Sequence, residues 1–281
     1  MEFRVLRFPI AEDSYECIIT NLPSAEFRVE EIKKLYDKKY RRLNQKYIIE
    51  GIKIIEEAYI QNQIFDTIVI CKELYDNISI DKQIVQKCLE ENEDKIIYVD
   101  KKVFNNICDT QTPQGIIGVL NIQINEKVLL DNENILFLDN IQDAGNLGTI
   151  IRSARAFGFN EIIVNKGSID VYNQKVVRAS MGNIFLLHIL QLEDEGLEML
   201  GLLKEKGYTV YATTLDNAQS IYDVEYASKK VIVIGNEANG VKSDILKFAD
   251  KNIYIPMLNN TESLNVGVAA SIIMCDVQRK N

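Results

Sequence analysis

Two hydrophobic rhythms divide the chain, and the change falls near residue 134. In the first stretch, Val29, Ile32, Leu35, Tyr36 and Tyr40 recur at three-and-four spacing, which predicts an amphipathic helix over Val29–Arg42. A second helix is predicted from Ile52 to Ile60. Short β-rich runs follow at Thr67–Cys71, Ile96–Tyr98 and Ile116–Ile124. The segment from Asn125 to Asn134 is polar apart from Val128–Leu130 and reads as a linker. Beyond it the pattern becomes a regular α/β alternation. Strands are predicted at Ile135–Leu138, Glu161–Val164, Ile184–Leu190, Thr209–Thr213, Val231–Ile234 and Ile253–Ile255. Helices are predicted at Leu147–Phe157, Gln174–Ser180, Glu193–Lys206, Ser243–Phe248 and Ser263–Gln278. Uninterrupted apolar strands such as Val231–Ile234 imply burial on both faces, hence a mostly parallel sheet. The expected organisation is an extension over 1–26, a small α/β domain over 27–124, a linker over 125–133 and a larger α/β domain over 134–281.

Composition narrows the function classes. A 47% hydrophobic content in 281 residues suffices for a core. No apolar run approaches the ~18 residues of a transmembrane helix. The opening Met1-Glu2-Phe3-Arg4 lacks a signal-peptide core, so the cytoplasm is the expected location. The five cysteines are scattered without a CxxC pair, so neither a disulfide framework nor a metal site is expected. The single histidine, His188, stands in an apolar stretch and reads as a buried or half-buried strand residue. Chemistry built on a histidine base with a Ser or Cys nucleophile therefore has almost no material here.

A net charge of −9 argues against a generic nucleic-acid binder. Its distribution changes that picture. Residues 28–46 hold eight cations against three acids, and Tyr36, Tyr40 and Tyr47 interleave with them. Such a stripe, including Lys38, Lys39, Arg41 and Arg42, can engage phosphates and bases on an otherwise acidic protein. It equally suits a solvated helix face with core tyrosines.

Three loops carry candidate chemistry. The first, Asp139 to Arg152, is a strand end, a Gly/Asn/Asp-rich turn and a helix start. Ile150, Ala154 and Phe157 should face the core, which puts Arg152 about 200° away on the exposed side. An arginine aimed from a helix into a cleft suits an anionic or polar substrate. The second loop, Gly235-Asn236-Glu237-Ala238-Asn239-Gly240, follows a buried strand and is neither GxGxxG nor a phosphate loop. Its glycine would let a ligand approach the backbone, and Glu237 sits where α/β sheets place their sites. The third, Ile255 to Ala270, contains Ser263 as a candidate helix cap and Asn265 as an amide in the first turn.

Taken in order, the three loops resemble the SpoU/TrmH family of the SPOUT superfamily. Its pattern is Asp-x-Gly-Asn-x-Gly-x-x-x-Arg, then Gly-Asn-Glu-x-x-Gly, then Ile-Pro-Met followed by Ser-Leu-Asn-Val-x-Val-Ala. Tyr40-Arg41-Arg42, Tyr47-Ile48-Ile49-Glu50-Gly51 and Gln114-Gly115-Ile116 resemble the family's substrate-binding domain. The resemblance implies an L30e/L7Ae-like α/β substrate-binding domain followed by a SPOUT α/β domain with a C-terminal trefoil knot. It implies S-adenosylmethionine as cofactor, held near Thr213, Gly235, Ile255, Met257 and Leu264. It implies methyl transfer to a ribose 2′-hydroxyl of RNA, with ribosomal RNA the favoured target and tRNA, or an inactive RNA-binding relative, the alternatives. Arg152 would be central, with Asn146, Glu237 and Asn265 orienting it, the ribose and the knot loops, in a homodimer. Two positions depart from the family pattern: Ala144 replaces a common proline, which should loosen the turn slightly, and Gly267 replaces a frequent serine. Residues 1–26 instead resemble a fragment of insertion-sequence DDE transposases, carried by Arg7-Phe8-Pro9-Ile10 and Glu16 to Pro23.

Overall fold

The computed structural model describes residues 25–123, 125, 127–259 and 263–280, with side chains from Arg28 onward. Nearly all of the transposase-like stretch lies outside the described residues. The chain divides after Asn121 into two compact units.

The first unit contains α1 (Ala25–Lys34), α2 (Lys38–Asn44), β1 (Lys46–Glu50), α3 (Ile52–Ile60), β2 (Phe65–Ile70), α4 (Lys72–Asp76), α5 (Gln83–Glu91), β3 (Ile96–Tyr98), α6 (Lys101–Ile107) and β4 (Ile116–Asn121). Its four-stranded sheet runs β1-β4-β2-β3, antiparallel except for the β2/β3 pair. Val29, Ile32 and Leu35 bury against Phe104, Ile107 and Val119, as the helical spacing requires.

The single helix predicted over Val29–Arg42 is in fact two. Asp37 caps a restart, its carboxylate accepting from Lys39 N at 2.8 Å. Arg41 closes the break. Its guanidinium donates to the carbonyls of Leu35 and Tyr36, both at 2.8 Å, and only 2% of the residue is exposed. Arg41 is thus committed to backbone acceptors, and the expectation that it faces RNA is corrected. Tyr47 is likewise buried in the core.

The second unit contains β5 (Asn134–Leu138), α7 (Ala144–Ala156), β6 (Glu161–Val164), α8 (Gln174–Ala179), β7 (His188–Gln191), α9 (Leu197–Glu205), β8 (Thr209–Thr213), β9 (Gln219–Ser220), β10 (Lys230–Ile234), α10 (Ser243–Phe248), β11 (Lys251–Tyr254) and α11 (Val266–Lys280). All seven strands are parallel, in the order β7-β6-β5-β10-β8-β11-β9. Every residue of β10 is buried, as a central parallel strand demands.

Four local expectations change. The run Ile184–Leu190 is not one strand: Met181 and Gly182 both take positive φ, a short 3-10 turn follows over Asn183–Leu186, and pairing begins at His188. Helix α9 starts at Leu197 because Asp194 Oδ1 accepts from Gly196 N and holds a turn there. Helix α11 starts at Val266, capped by Asn265 rather than Ser263. The polar stretch before β5 is strapped down, since Val128 and Leu130 pack on the core and the Tyr208 hydroxyl donates to the Leu130 and Asn132 carbonyls at 2.9 and 2.6 Å.

His188 is half-buried, and its Nδ1 lies 2.9 Å from the carboxyl of the fully buried Glu161. Burial pushes the Glu161 carboxyl up to about 8 and lowers His188. The folded state therefore holds the Glu161 proton well above the pH at which the unfolded chain releases it. Stability from this source is full at acid pH and declines as pH rises toward about 8. Urea melts across that range should show a slope of at most about 1.4 kcal/mol per pH unit that Glu161→Gln removes. A slope unchanged by that variant would show that Glu161 is already ionised at neutral pH.

Candidate functional site

The site forms where the loops after β5, β10 and β11 meet at the carboxyl end of the parallel sheet, the position such sheets reserve for ligands. Asp139, fully buried at the end of β5, anchors this corner. Its carboxylate accepts from Lys242 N and Asn165 Nδ2, both at 2.7 Å. Asn165 Oδ1 accepts from Asn140 N at 2.9 Å, and Asn236 Nδ2 donates to Asn140 O at 2.9 Å. Three loops are thereby fastened to one another by the motif residue Asn236 together with Asp139 and Asn165, which the motif pattern does not single out. The available signal was an acid and an amide placed directly after the buried runs of β5 and β6.

Helix α7 aims the next group. Asp143 is its N-cap, accepting from Asn146 N at 2.8 Å, and Ala144 takes the first helical position. The turn is closed there without the family's proline, since the cap bond supplies the order that a fixed φ would give. Asn146 then donates from Nδ2 to Glu237 Oε1 and accepts at Oδ1 from Asn265 Nδ2, at 2.8 Å in the latter bond. Asn265 Oδ1 in turn accepts from Val268 N at 3.2 Å. Three residues from three distant segments thus form one hydrogen-bonded chain. Among the described residues, Glu237 Oε2 makes no hydrogen bond.

Next to this chain lies a cleft of about 390 Å³, within the range of small-molecule sites. Thr213, Gly235, Ile255, Met257 and Leu264 all line it, as does Glu237. No Lys, Arg or His contributes to its lining among the described residues, whereas Asp216 and Glu237 do. Gly235 serves the loop itself. A Cβ there would lie 2.2 Å from Gly240 C and Val241 N, because Asn236 and Gly240 pair their backbones across a tight turn. This glycine therefore borders the cleft and also admits a close approach of the chain's own backbone.

Arg152 is exposed on α7 and, among the described residues, has no hydrogen bond or ion pair. It stands six residues beyond Asn146, about 120° around the helix, and it does not line the cleft. Asn146, Glu237 and Asn265 are thus brought together within one chain, and Arg152 is not. In the first unit Lys38, Lys39 and Arg42 are exposed on α2, while Arg41 is not.

These features define a two-unit α/β protein with a small-molecule-sized cleft at the loop end of a parallel sheet and exposed cations on a helix of its smaller unit. Residues 133–275 match the SpoU rRNA Methylase family and residues 27–118 the MRM3-like substrate binding domain. The chain belongs to the SpoU rRNA methylase family. It is 32% identical over 247 residues to the 23S rRNA (guanosine(2553)-2′-O)-methyltransferase RlmP of Bacillus subtilis, covering 88% of this chain and 94% of that protein. It is 26% identical to rRNA methyltransferase 3, mitochondrial, of Xenopus tropicalis, covering 93% of this chain and 79% of the relative. The AdoMet-bound rRNA methyltransferase from Sinorhizobium meliloti superposes with a TM-score of 0.78 at 26% identity, over 93% of this chain and 97% of that one.

Proposed function

We propose that this protein transfers a methyl group from S-adenosylmethionine to a ribose 2′-hydroxyl of RNA, with 23S ribosomal RNA the favoured target. The observation that carries this is the Glu237–Asn146–Asn265 chain set against a cleft lined by all five expected cofactor positions. The lining fits the cofactor's chemistry. A sulfonium is cationic and the cofactor has no phosphate, and a cleft with two carboxylates and no cation suits such a molecule better than a nucleotide. Ile255, Met257 and Leu264, from between β11 and α11, line the cleft together with residues after β8 and β10.

S-adenosylmethionine, when bound, supplies an already activated methyl group for in-line displacement. The protein's share is then placement. Thr213, Gly235, Ile255, Met257 and Leu264 hold the cofactor. Asn146 and Asn265 have their amides engaged with each other and with Glu237, so they act by positioning that carboxylate and fixing α7 against α11. Arg152 binds the phosphate next to the target ribose and orients the hydroxyl, since deprotonating a guanidinium for base work is prohibitively costly. Because Arg152 does not line its own chain's cleft, we propose a homodimer in which one protomer's Arg152 reaches the cleft of its partner.

The direct test is tritiated-methyl transfer from S-adenosylmethionine onto total RNA, separated by size and digested to nucleosides. Label in a 2′-O-methylnucleoside from large ribosomal RNA is expected. Label confined to tRNA, or on a base, would overturn the assignment.

RNA affinity should reside on α2. Changing Lys38, Lys39 and Arg42 together to Gln should lower the salt slope of RNA binding by roughly 0.7–0.9 for each phosphate no longer neutralised. Cofactor affinity should not change. If the slope is unaltered, α2 is merely a solvated face. Arg41→Gln should act differently, costing about 1–3 kcal/mol of stability by leaving the Leu35 and Tyr36 carbonyls unpaired.

A further inference from the structure

We propose that a second pocket, framed by Arg28, Lys46, Asp66 and Thr67 in the first unit, receives one unpaired guanine base of the RNA. The proposal rests on reading the chain as an RNA-binding enzyme. It adds a base-recognition site in a different unit from the cofactor cleft.

The pocket measures about 240 Å³ and sits at the amino ends of β1 and β2. That is below the range of clefts that hold drug-sized ligands and suits a single heterocycle. Its wall is apolar: Ile32 and Leu35 of the first core and Val119 of β4, which pairs with Ile48 and Thr67, all take part. A flat ring can lie against such a surface.

The polar rim carries both kinds of hydrogen-bonding partner. Lys46 Nζ pairs with Asp66 Oδ1 at 2.6 Å, and Asp66 Oδ2 accepts from Thr67 Oγ1 at 3.1 Å. Each carboxylate oxygen keeps accepting capacity beyond these bonds. Arg28 is half-buried, yet among the described residues its one hydrogen bond is a long one, to Thr67 Oγ1 at 3.3 Å. Burial lowers its pKa, with Asp66 opposing. A guanidinium partly removed from water and weakly satisfied is a donor set awaiting an acceptor.

Charge selects against other occupants. Arg28 and Lys46 are balanced by Asp66 and Glu31 on the same lining, so neither a phosphate nor a cation finds a one-signed site. A neutral group offering acceptors and donors together does. Guanine presents O6 and N7 to cationic donors and an amino group to a carboxylate. Guanine alone sets an acceptor pair, O6 and N7, for a guanidinium next to a donor pair, N1–H and the amino group, for a carboxylate. Adenine and cytosine have an amino group beside acceptors but no second donor next to it, and uracil has no amino group.

The surroundings fit an RNA path. Asn44 lines the pocket and belongs to α2, which carries the exposed Lys38, Lys39 and Arg42. Asn44 Nδ2 donates to Tyr40 O at 2.9 Å, and the Lys34 and Lys39 ammonium groups stand 5.9 and 6.0 Å from the centre of the Tyr40 ring. Phosphates flanking a docked base would meet these cations.

The test uses the full chain and fluorescence anisotropy. The probes are short oligouridylates carrying one central guanosine, adenosine or abasic ribose. The wild type should prefer the guanosine probe over the abasic one by about tenfold, the size of one good base contact. Arg28→Met and Asp66→Asn should each erase that preference. Both should leave affinity for the abasic probe within about twofold and the salt slope unchanged, since neither side chain is assigned to a phosphate. Asn44→Ala, at an exposed position, serves as a variant that leaves the core alone and should reduce the preference. Equal binding of the guanosine probe and either the abasic or the adenosine probe by the wild type, or a preference that survives both Arg28→Met and Asp66→Asn, overturns the proposal. The readout needs no methyl transfer, so it can fail while the enzymatic assignment stands, and the reverse.

Discussion

Arg152→Ala is expected to lower methyl transfer by roughly a hundred- to a thousandfold, the usual cost of removing one fixed charge or donor from a transition state. The same change should hardly touch stability, because the side chain is exposed and, among the described residues, bonded to nothing. It should also leave cofactor affinity unchanged, since Arg152 does not line the cleft of its own chain. RNA affinity, resting on several groups, should change little. A fall in kcat larger than any rise in KM for RNA is the signature of an interaction worth more in the transition state than in the bound substrate. Arg152→Lys should recover only part of the rate, since an ammonium keeps the charge but not the planar fork. Mixing Arg152→Ala chains with Leu264→Arg chains, whose cleft is filled, tests the shared site. Half the randomly mixed dimers would carry one intact combination, restoring activity to about a quarter of wild type. A mixture as inactive as its parents would place Arg152 and the cofactor on the same chain.

Gly235→Ala should be the most disruptive single methyl in the second unit. The added carbon would meet backbone atoms of Gly240 and Val241 at 2.2 Å, and backbone cannot swing aside as a side chain can. Overpacking of this kind costs about 1–3 kcal/mol or more, some 5–10 °C in melting temperature for a unit of this size. The displaced loop carries Glu237, so cofactor affinity should fall at least about tenfold as well. Gly240→Ala is the contrast. A Cβ there meets nothing within 4 Å, though φ is +65°. Its cost should be about 1 kcal/mol of backbone strain, with cofactor binding retained. If Gly235→Ala melts with the wild type and binds cofactor normally, the loop does not close as described.

Much of the second unit could be read directly from the chain. Runs such as Val231–Ile234 are unbroken because their strands are covered on both sides, and that burial writes itself into composition. The start of α7 was legible later than its true start, since Ala144-Gly145-Asn146 shows no helical periodicity and the Asp143 cap decides the boundary. The apolar run Ile184–Leu190 misled for a related reason. Burial made it hydrophobic, while the positive φ values at Met181 and Gly182 set its geometry. The basic stripe was legible as charge. Its division into α1 and α2 was not, because Arg41 reads as one more surface cation until its partners, the carbonyls of Leu35 and Tyr36, are known.

The sequence by itself determined the α/β class, the parallel sheet, the family and the segments that supply the site, because burial period and motif order are local properties. Tertiary structure alone decided which motif residues meet. Asn146 bonds Glu237 and Asn265 across 91 and 119 positions, and no local pattern encodes a contact at that range. It also decided that Gly235 yields to its own loop, that Asp139 and Asn165 hold the corner, and that Arg41 turns inward while Arg28 borders a pocket. In each case the residue's role depends on what the folded chain places opposite it, which is a property of packing rather than of sequence.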